Sequence, residues 1–176
     1  MGWNTSALFV RDRSSEDVLG FLPDVLEYTP TGEEVAAESA WAGSPGQRLH
    51  LSDEGDWCQL WDPDQRFPPR VGLRIERDGP GTLQVTQALA VLFSSITSTY
   101  ALWLYDEGTL VRHISFRDGE PAQVFGAVVA DPLPAEVRAE IPSWGPDEDY
   151  LWNVIEAVTG LDNDLDQLFT VYDVAP

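Results

Sequence analysis

Asp162, Asp164 and Asp166 alternate in Asp162-Asn163-Asp164-Leu165-Asp166, the spacing of the first three oxygen ligands of a calcium loop. Two requirements of that loop are not met. Gln167 stands where the tight turn needs Gly, and Asp173 stands where the site needs a bidentate Glu. The stretch follows Gly160 and reads as a solvated acidic turn, so neither a metal nor any other cofactor is expected. Asp53, Glu54, Asp56, Asp62 and Asp64 form a second acidic group. They fall in two turns that flank one strand, so they are expected at its opposite ends rather than in one site. A carboxylate pair for glycoside cleavage has to lie within roughly 5–10 Å, and nothing in the sequence selects such a pair.

The nucleophile and base inventory is short. Cys58 is the only cysteine, so no intramolecular disulfide can form. Its setting, Asp56-Trp57-Cys58-Gln59-Leu60-Trp61, reads as a strand in which Cys serves as a small buried hydrophobe. A reactive thiolate needs a neighbouring cation to lower its pKa, and neither His50 nor His113 has a spacing that links it to Cys58. His113, within Val111-Arg112-His113-Ile114, reads as a structural residue of a strand. The chain contains no phosphate-binding glycine loop, dinucleotide fingerprint, G-x-S-x-G, H-E-x-x-H or Cys/His zinc spacing. No catalytic residue is assigned.

Aromatic residues beside acids are the remaining candidates. Seven Trp are many for a chain of 176 residues. Trp144 lies in Pro142-Ser143-Trp144-Gly145-Pro146, which reads as a loop, next to Asp147, Glu148 and Asp149. Trp152 falls between the apolar and polar sides of the helix that follows. Aromatic anchors framed by charge suit a protein interface. The candidate partner-binding set is therefore Trp144, Asp147, Glu148, Asp149, Trp152, Asp162, Asp164 and Asp166.

These residues need elements to position them. Trp3 to Val10 reads as a strand, and Ser14-Ser15-Glu16-Asp17 as a capped helix start. A second helix is expected from Thr31 to Trp41, stopped by Gly43-Ser44-Pro45-Gly46. Arg48 to Ser52 and Asp56 to Trp61 read as two strands joined by Asp53-Glu54-Gly55. Val71, Leu73 and Ile75 alternate with polar residues, as does the segment of Leu83 and Val85, which suits half-buried strands. Ala88 to Phe93 fits a buried strand or a buried helix equally well. Thr99 to Tyr105 and Thr109 to Phe116 form the clearest hairpin, with Asp106-Glu107-Gly108 expected as a three-residue loop. Asp118-Gly119 marks another turn, and Val124 to Val129 another strand. Tyr150, Leu151, Val154, Ile155 and Val158 make one apolar helical stripe that ends at Gly160. Phe169 to Val174 reads as a closing strand. The pattern is α+β: a mainly antiparallel sheet of about six to eight strands with helices near the N- and C-terminal ends packed on it, in a single domain over residues 1–176.

Charge narrows the function classes. Thirty acids face ten basic residues, all Arg, for a net charge of −20. Residues 131–176 alone hold eleven acids and one Arg. Such a chain repels phosphate, so binding to nucleic acid or to an anionic membrane is not expected. A basic protein would be attracted. The absence of Lys suits a GC-rich bacterial genome, and no secretion signal or membrane-spanning run is visible, so a cytoplasmic location is expected. Together these features favour a non-enzymatic acidic binding protein, of the kind that acts as an immunity protein or inhibitor against a basic toxin nuclease. An enzyme or small-ligand site assembled from distant Asp, Glu, Tyr and His residues is the alternative, and a subunit of a larger assembly is the second.

Overall fold

The computed structural model describes residues 3–42, 46–71, 85–126, 146–162 and 164–176. In chain order the elements are β1 (Asn4–Arg11), α1 (Ser15–Leu19), β2 (Glu27–Ala36), α2 (Ala37–Trp41), β3 (Arg48–Glu54), β4 (Trp57–Asp62), β5 (Gln87–Ser94), β6 (Thr99–Asp106), β7 (Thr109–Arg117), β8 (Glu120–Gly126), α3 (Glu148–Thr159) and β9 (Leu168–Ala175). The nine strands make one sheet in the order β2-β9-β3-β4-β1-β5-β6-β7-β8. Every pairing in it is antiparallel.

Strand periodicity divides the core in two. In β1, Ala7 and Phe9 enter one buried cluster while Leu8 and Val10 enter the other. β4 repeats this, with Trp57 and Trp61 on the first face and Cys58 and Leu60 on the second, because successive side chains of a strand point to opposite sides. The first face shares its cluster with Ala37, Ala40 and Trp41 of α2 and with Tyr150, Leu151, Val154 and Ile155 of α3. The second shares its cluster with Val18 of α1, Leu22, Phe67 and Val71. Helices are sparse among the described residues, since α1 and α2 have five residues each.

Several sequence expectations need correction. The sheet has nine strands, more than expected. The helix expected from Thr31 is largely strand: β2 runs to Ala36, and only Ala37–Trp41 is helical. Ladder pairing with β9 on either side of a bulge between Pro30 and Glu34 outweighs the helix-forming residues. Gly32, at φ 78°, supplies the backbone turn inside that bulge. Ala88 to Phe93 belongs to strand β5. The β6–β7 connection has two residues rather than three, because Asp106 pairs with Thr109 and both Glu107 and Gly108 take positive φ. The strand expected over 124–129 begins earlier, at Glu120. Leu73, Ile75 and Leu83, like Trp144 and its loop, lie outside the described residues.

Other signals are met closely. Ser14 caps α1 in a reciprocal box with Asp17. Asp147 caps α3, and Gly160, at φ 72°, ends it in the left-handed conformation.

Candidate functional site

A groove of about 730 Å³ opens where the β3–β4 hairpin meets the C-terminal end of α3. Arg11, Glu54, Gly55, Asp56 and Trp57 line one side, and residues 157–161 line the other. The hairpin side is held by pairing and by the neighbouring strand. Glu54 pairs with Trp57, leaving Gly55 and Asp56 as a two-residue turn. Asp12 N–H donates to the Asp56 carbonyl at 2.7 Å, and the Arg11 guanidinium lies 4.0 Å from the Asp56 carboxylate. The helix side is held by its cap. Gly160 N–H donates to the Glu156 carbonyl at 2.8 Å, and Leu161 N–H donates to Thr159 Oγ1 at 3.1 Å. α3 has no basic residue in its last turn, so no side chain of that turn offsets the negative end of the helix dipole.

Glu54 is the electrostatic centre of the groove. Burial pushes its carboxyl above the usual range, and the nearby negative charges of Asp164 and Asp162 push it further in the same direction. Among the described residues, no ion pair reaches Glu54, Asp162 or Asp164. A buried amide fixes the carboxylate. Gln59 Nε2 donates to Glu54 Oε2 at 3.3 Å and to Gln167 Oε1 at 3.3 Å, while Gln59 Oε1 accepts from Trp61 Nε1 at 3.2 Å. Gln167 Nε2 in turn donates to Ser52 Oγ at 3.1 Å. This chain of amides links β3, β4 and the turn before β9, and aims Glu54 at the groove.

The structure places the acids of the expected partner-binding set at two separate positions. Asp147, Glu148 and Asp149 lie at the start of α3, and Asp162, Asp164 and Asp166 lie beyond its end. A helix of this length, 12 residues, separates them by roughly 18 Å. Asp147 is occupied with capping, since its Oδ1 accepts from Tyr150 N–H at 3.2 Å. Glu148 faces Tyr100, whose hydroxyl is pushed up to about 12 by burial first and by Glu148 next. Asp149 is exposed. Asp166 belongs to the local turn, where its N–H donates to Asp164 Oδ1 at 2.9 Å. Asp173, the last position of the calcium pattern, lies on β9 and pairs with Arg48 at 3.2 Å. No group of three or more His, Cys, Asp or Glu able to hold a metal ion occurs among the described residues.

Of the two Trp in the expected partner-binding set, Trp144 lies outside the described residues and Trp152 is half-buried. None of the six described Trp is exposed. Trp152 is half-buried in an aromatic cluster, 5.0 Å from Trp41, 5.3 Å from Trp61 and 5.8 Å from Trp3 between ring centroids. It packs the first face of the sheet. The remaining candidates for chemistry are also enclosed. Cys58 is fully buried, and burial pushes its thiol up, away from the thiolate form. His113 is buried and stacked on Trp103 at 4.7 Å. His50 is buried, which lowers its pKa and favours the neutral ring.

The groove is not legible in the sequence: Glu54 and Asp56 read as part of an acidic group in two turns with no pair selected, and Arg11, Gly55 and Trp57 carry no site signal. The Gly55 turn and the Gly160 cap are each legible, but their meeting depends on the ladder β9-β3-β4-β1. No family model matches the chain, and no curated protein or solved structure matches it. No helix among the described residues is long and apolar enough to cross a membrane.

Proposed function

We propose that this chain is a non-enzymatic acidic binding protein that captures a basic protein partner, in the manner of an immunity protein or inhibitor. One observation carries the reading: Glu54 lines an open groove, the charges of Asp164 and Asp162 act on it, and none of the three has an ion pair from any described residue. Like charges held close cost free energy, on the order of 1 kcal/mol per pair at 4 Å in water and several times more in a lower dielectric. A partner's cations relieve that cost on docking. The net charge of −20 adds long-range steering, which speeds encounter with a basic surface.

A second reading has one observation in its favour. Glu54 holds its proton more tightly than a free carboxyl, as a general acid in an enzyme does. No described nucleophile or second titrating group of complementary role stands beside it, and burial, followed by the charges of Asp164 and Asp162, accounts for the shift. The binding reading therefore accounts for more of the site.

Affinity capture tests it. The immobilised chain and a variant carrying Glu54→Gln, Asp162→Asn and Asp164→Asn are each exposed to host lysate at low salt. A single basic protein held by the parent, released by salt and lost from the variant is the expected result. Equal capture by both proteins removes the electrostatic basis of the reading.

A further inference from the structure

We infer that Gln59 and Gln167 are positioning residues, which fix the Glu54 carboxylate and the turn over 164–167 as one unit through amides oriented by the Trp61 indole. The role rests on the binding reading above only for what Glu54 does on docking. Gln59 lies between Trp57 and Trp61 on the first face of β4 and is 3% exposed. An apolar side chain there would leave no polar group to satisfy, so the amide needs a reason beyond packing. Its orientation supplies one. Trp61 is fully buried, and an indole N–H can only donate. Gln59 Oε1 accepts from it at 3.2 Å. Gln59 Nε2 then donates to Glu54 Oε2 and to Gln167 Oε1, each at 3.3 Å. Because Gln167 Oε1 accepts, Gln167 Nε2 is left to donate, and it does so to Ser52 Oγ at 3.1 Å. A reversed Gln59 would set its oxygen against the Glu54 carboxylate and the Gln167 oxygen, and would leave the indole N–H unpaired. The relay therefore has one direction.

Gln167 also gives the acidic stretch before β9 a purpose other than calcium. It stands where a calcium loop needs Gly, and its side chain ties the stretch to the sheet. Its N–H donates to the Asp164 carbonyl at 3.2 Å, and Asp166 N–H donates to Asp164 Oδ1 at 2.9 Å. Its carbonyl accepts from Ala37 N–H at 3.0 Å. The turn is thus closed on itself, held to α2 through backbone, and held to β3 and β4 through the Gln167 amide. In the ladder Ser52 pairs with Gln59 and Glu54 with Trp57, so the two acceptors on β3 lie two residues apart on one face. Both ends of the relay meet the same strand. A displacement of the turn disturbs the donor that holds Glu54, and the reverse also holds. This coupling runs through hydrogen bonds and needs no contact between the acids of the turn and the groove.

NMR of the full chain tests the relay. Three-bond couplings of the Glu54 side chain report whether one rotamer is held. In the unsubstituted protein they should show a single rotamer, and the side-chain amide protons of Gln59 should exchange slowly with solvent. Exchange as fast as that of a free glutamine amide overturns the relay. Gln59→Leu removes the donor to Glu54, so its couplings should fall to rotamer averages and the backbone amides of Asp166 and Gln167 should shift. Gln167→Leu should also loosen Glu54, although Gln167 makes no bond to it, and Trp61→Phe should do the same by removing the orienting N–H. Asp149→Asn, at the far end of α3, should change none of these signals. Thermal unfolding shows whether each variant is folded. If Gln59→Leu does not fold, the half-buried Gln167→Leu and the exchange measurement decide. Glu54 couplings unmoved in the folded Leu variants overturn the positioning role. If they are unmoved while lysate capture still depends on Glu54→Gln, the relay falls and the binding reading stands. If Glu54 is loosened while capture is equal to the parent's, the relay stands and the part of Glu54 in docking falls.

Discussion

Cys58 faces away from the groove, fully buried, with Ser15 Oγ 3.7 Å from its sulfur. Burial disfavours the thiolate, and the thiolate is the reactive form. A thiol reagent should therefore leave the native protein unmodified and label Cys58 only as fast as the chain opens; rapid stoichiometric labelling without unfolding contradicts this. Asp62 poses a different problem, because it is a carboxylate with no exposed surface. Burial pushes its pKa up, but the backbone N–H groups of Arg66 and Phe67 donate to Oδ2 at 2.6 and 2.9 Å and oppose that push. Asp64 N–H donates to Oδ1 at 3.1 Å, and the Arg66 guanidinium lies 3.5 Å away. Asp62 thus organises the turn after β4. Replacing it by Ala orphans three donors and should cost roughly 3 kcal/mol, whereas Asn keeps one acceptor and should cost less, as chemical denaturation can measure. In the sequence Asp62 reads only as one of five acids in two turns, since nothing local distinguishes a carboxylate that will be enclosed by its own turn.

α3 shows how a legible element can carry an illegible role. Its apolar stripe, its Asp147 cap and its Gly160 stop are all visible in the sequence, because helix period and cap chemistry are local. Which end of it would matter was not. Asp147 is a cap that holds the helix start, roughly 18 Å from the groove by helix rise. Asp147→Ala should lower Tm by about 2–4 °C, the effect of losing about 1 kcal/mol in a chain of this size. It should leave salt-sensitive capture of a basic protein from lysate unchanged. A loss of binding without loss of Tm places Asp147 in the recognition surface and not in the cap. β2 marks the opposite limit of legibility. Thr31 to Ala36 carries helix-forming residues, but Thr31 Oγ1 donates to the Val171 carbonyl at 3.1 Å and the segment pairs with β9, some 140 positions away. Local propensity cannot weigh a partner so distant in sequence. The same limit explains the ambiguity of Ala88 to Phe93. A strand buried on both faces loses the alternation that identifies a strand.

At the scale of the whole molecule, the fold carries a net charge of −20 and concentrates part of its repulsion at the groove. Ordinary surfaces intersperse opposite charges, so repulsion retained at a concave site is better explained by binding than by stability. Repulsion of this kind has a thermodynamic signature. Glu54 has a folded pKa raised above its unfolded value, so its destabilising contribution is complete above the folded pKa and disappears as pH falls below the unfolded one. His50 acts in the opposite sense. Its folded pKa is lowered, so the stability it contributes is present above its unfolded value and is lost as pH falls through its folded one. Acidification alone therefore mixes two opposed effects, and salt at fixed neutral pH separates them. With His50 neutral, raising ionic strength toward about 0.15 M screens the acids and should raise Tm. Combining Glu54→Gln, Asp162→Asn and Asp164→Asn should raise Tm most at low salt and flatten that dependence. A variant no more stable than the parent, with the same salt slope, means that the three carboxylates are not in net repulsion. The groove would then hold no unsatisfied charge for a cation to relieve.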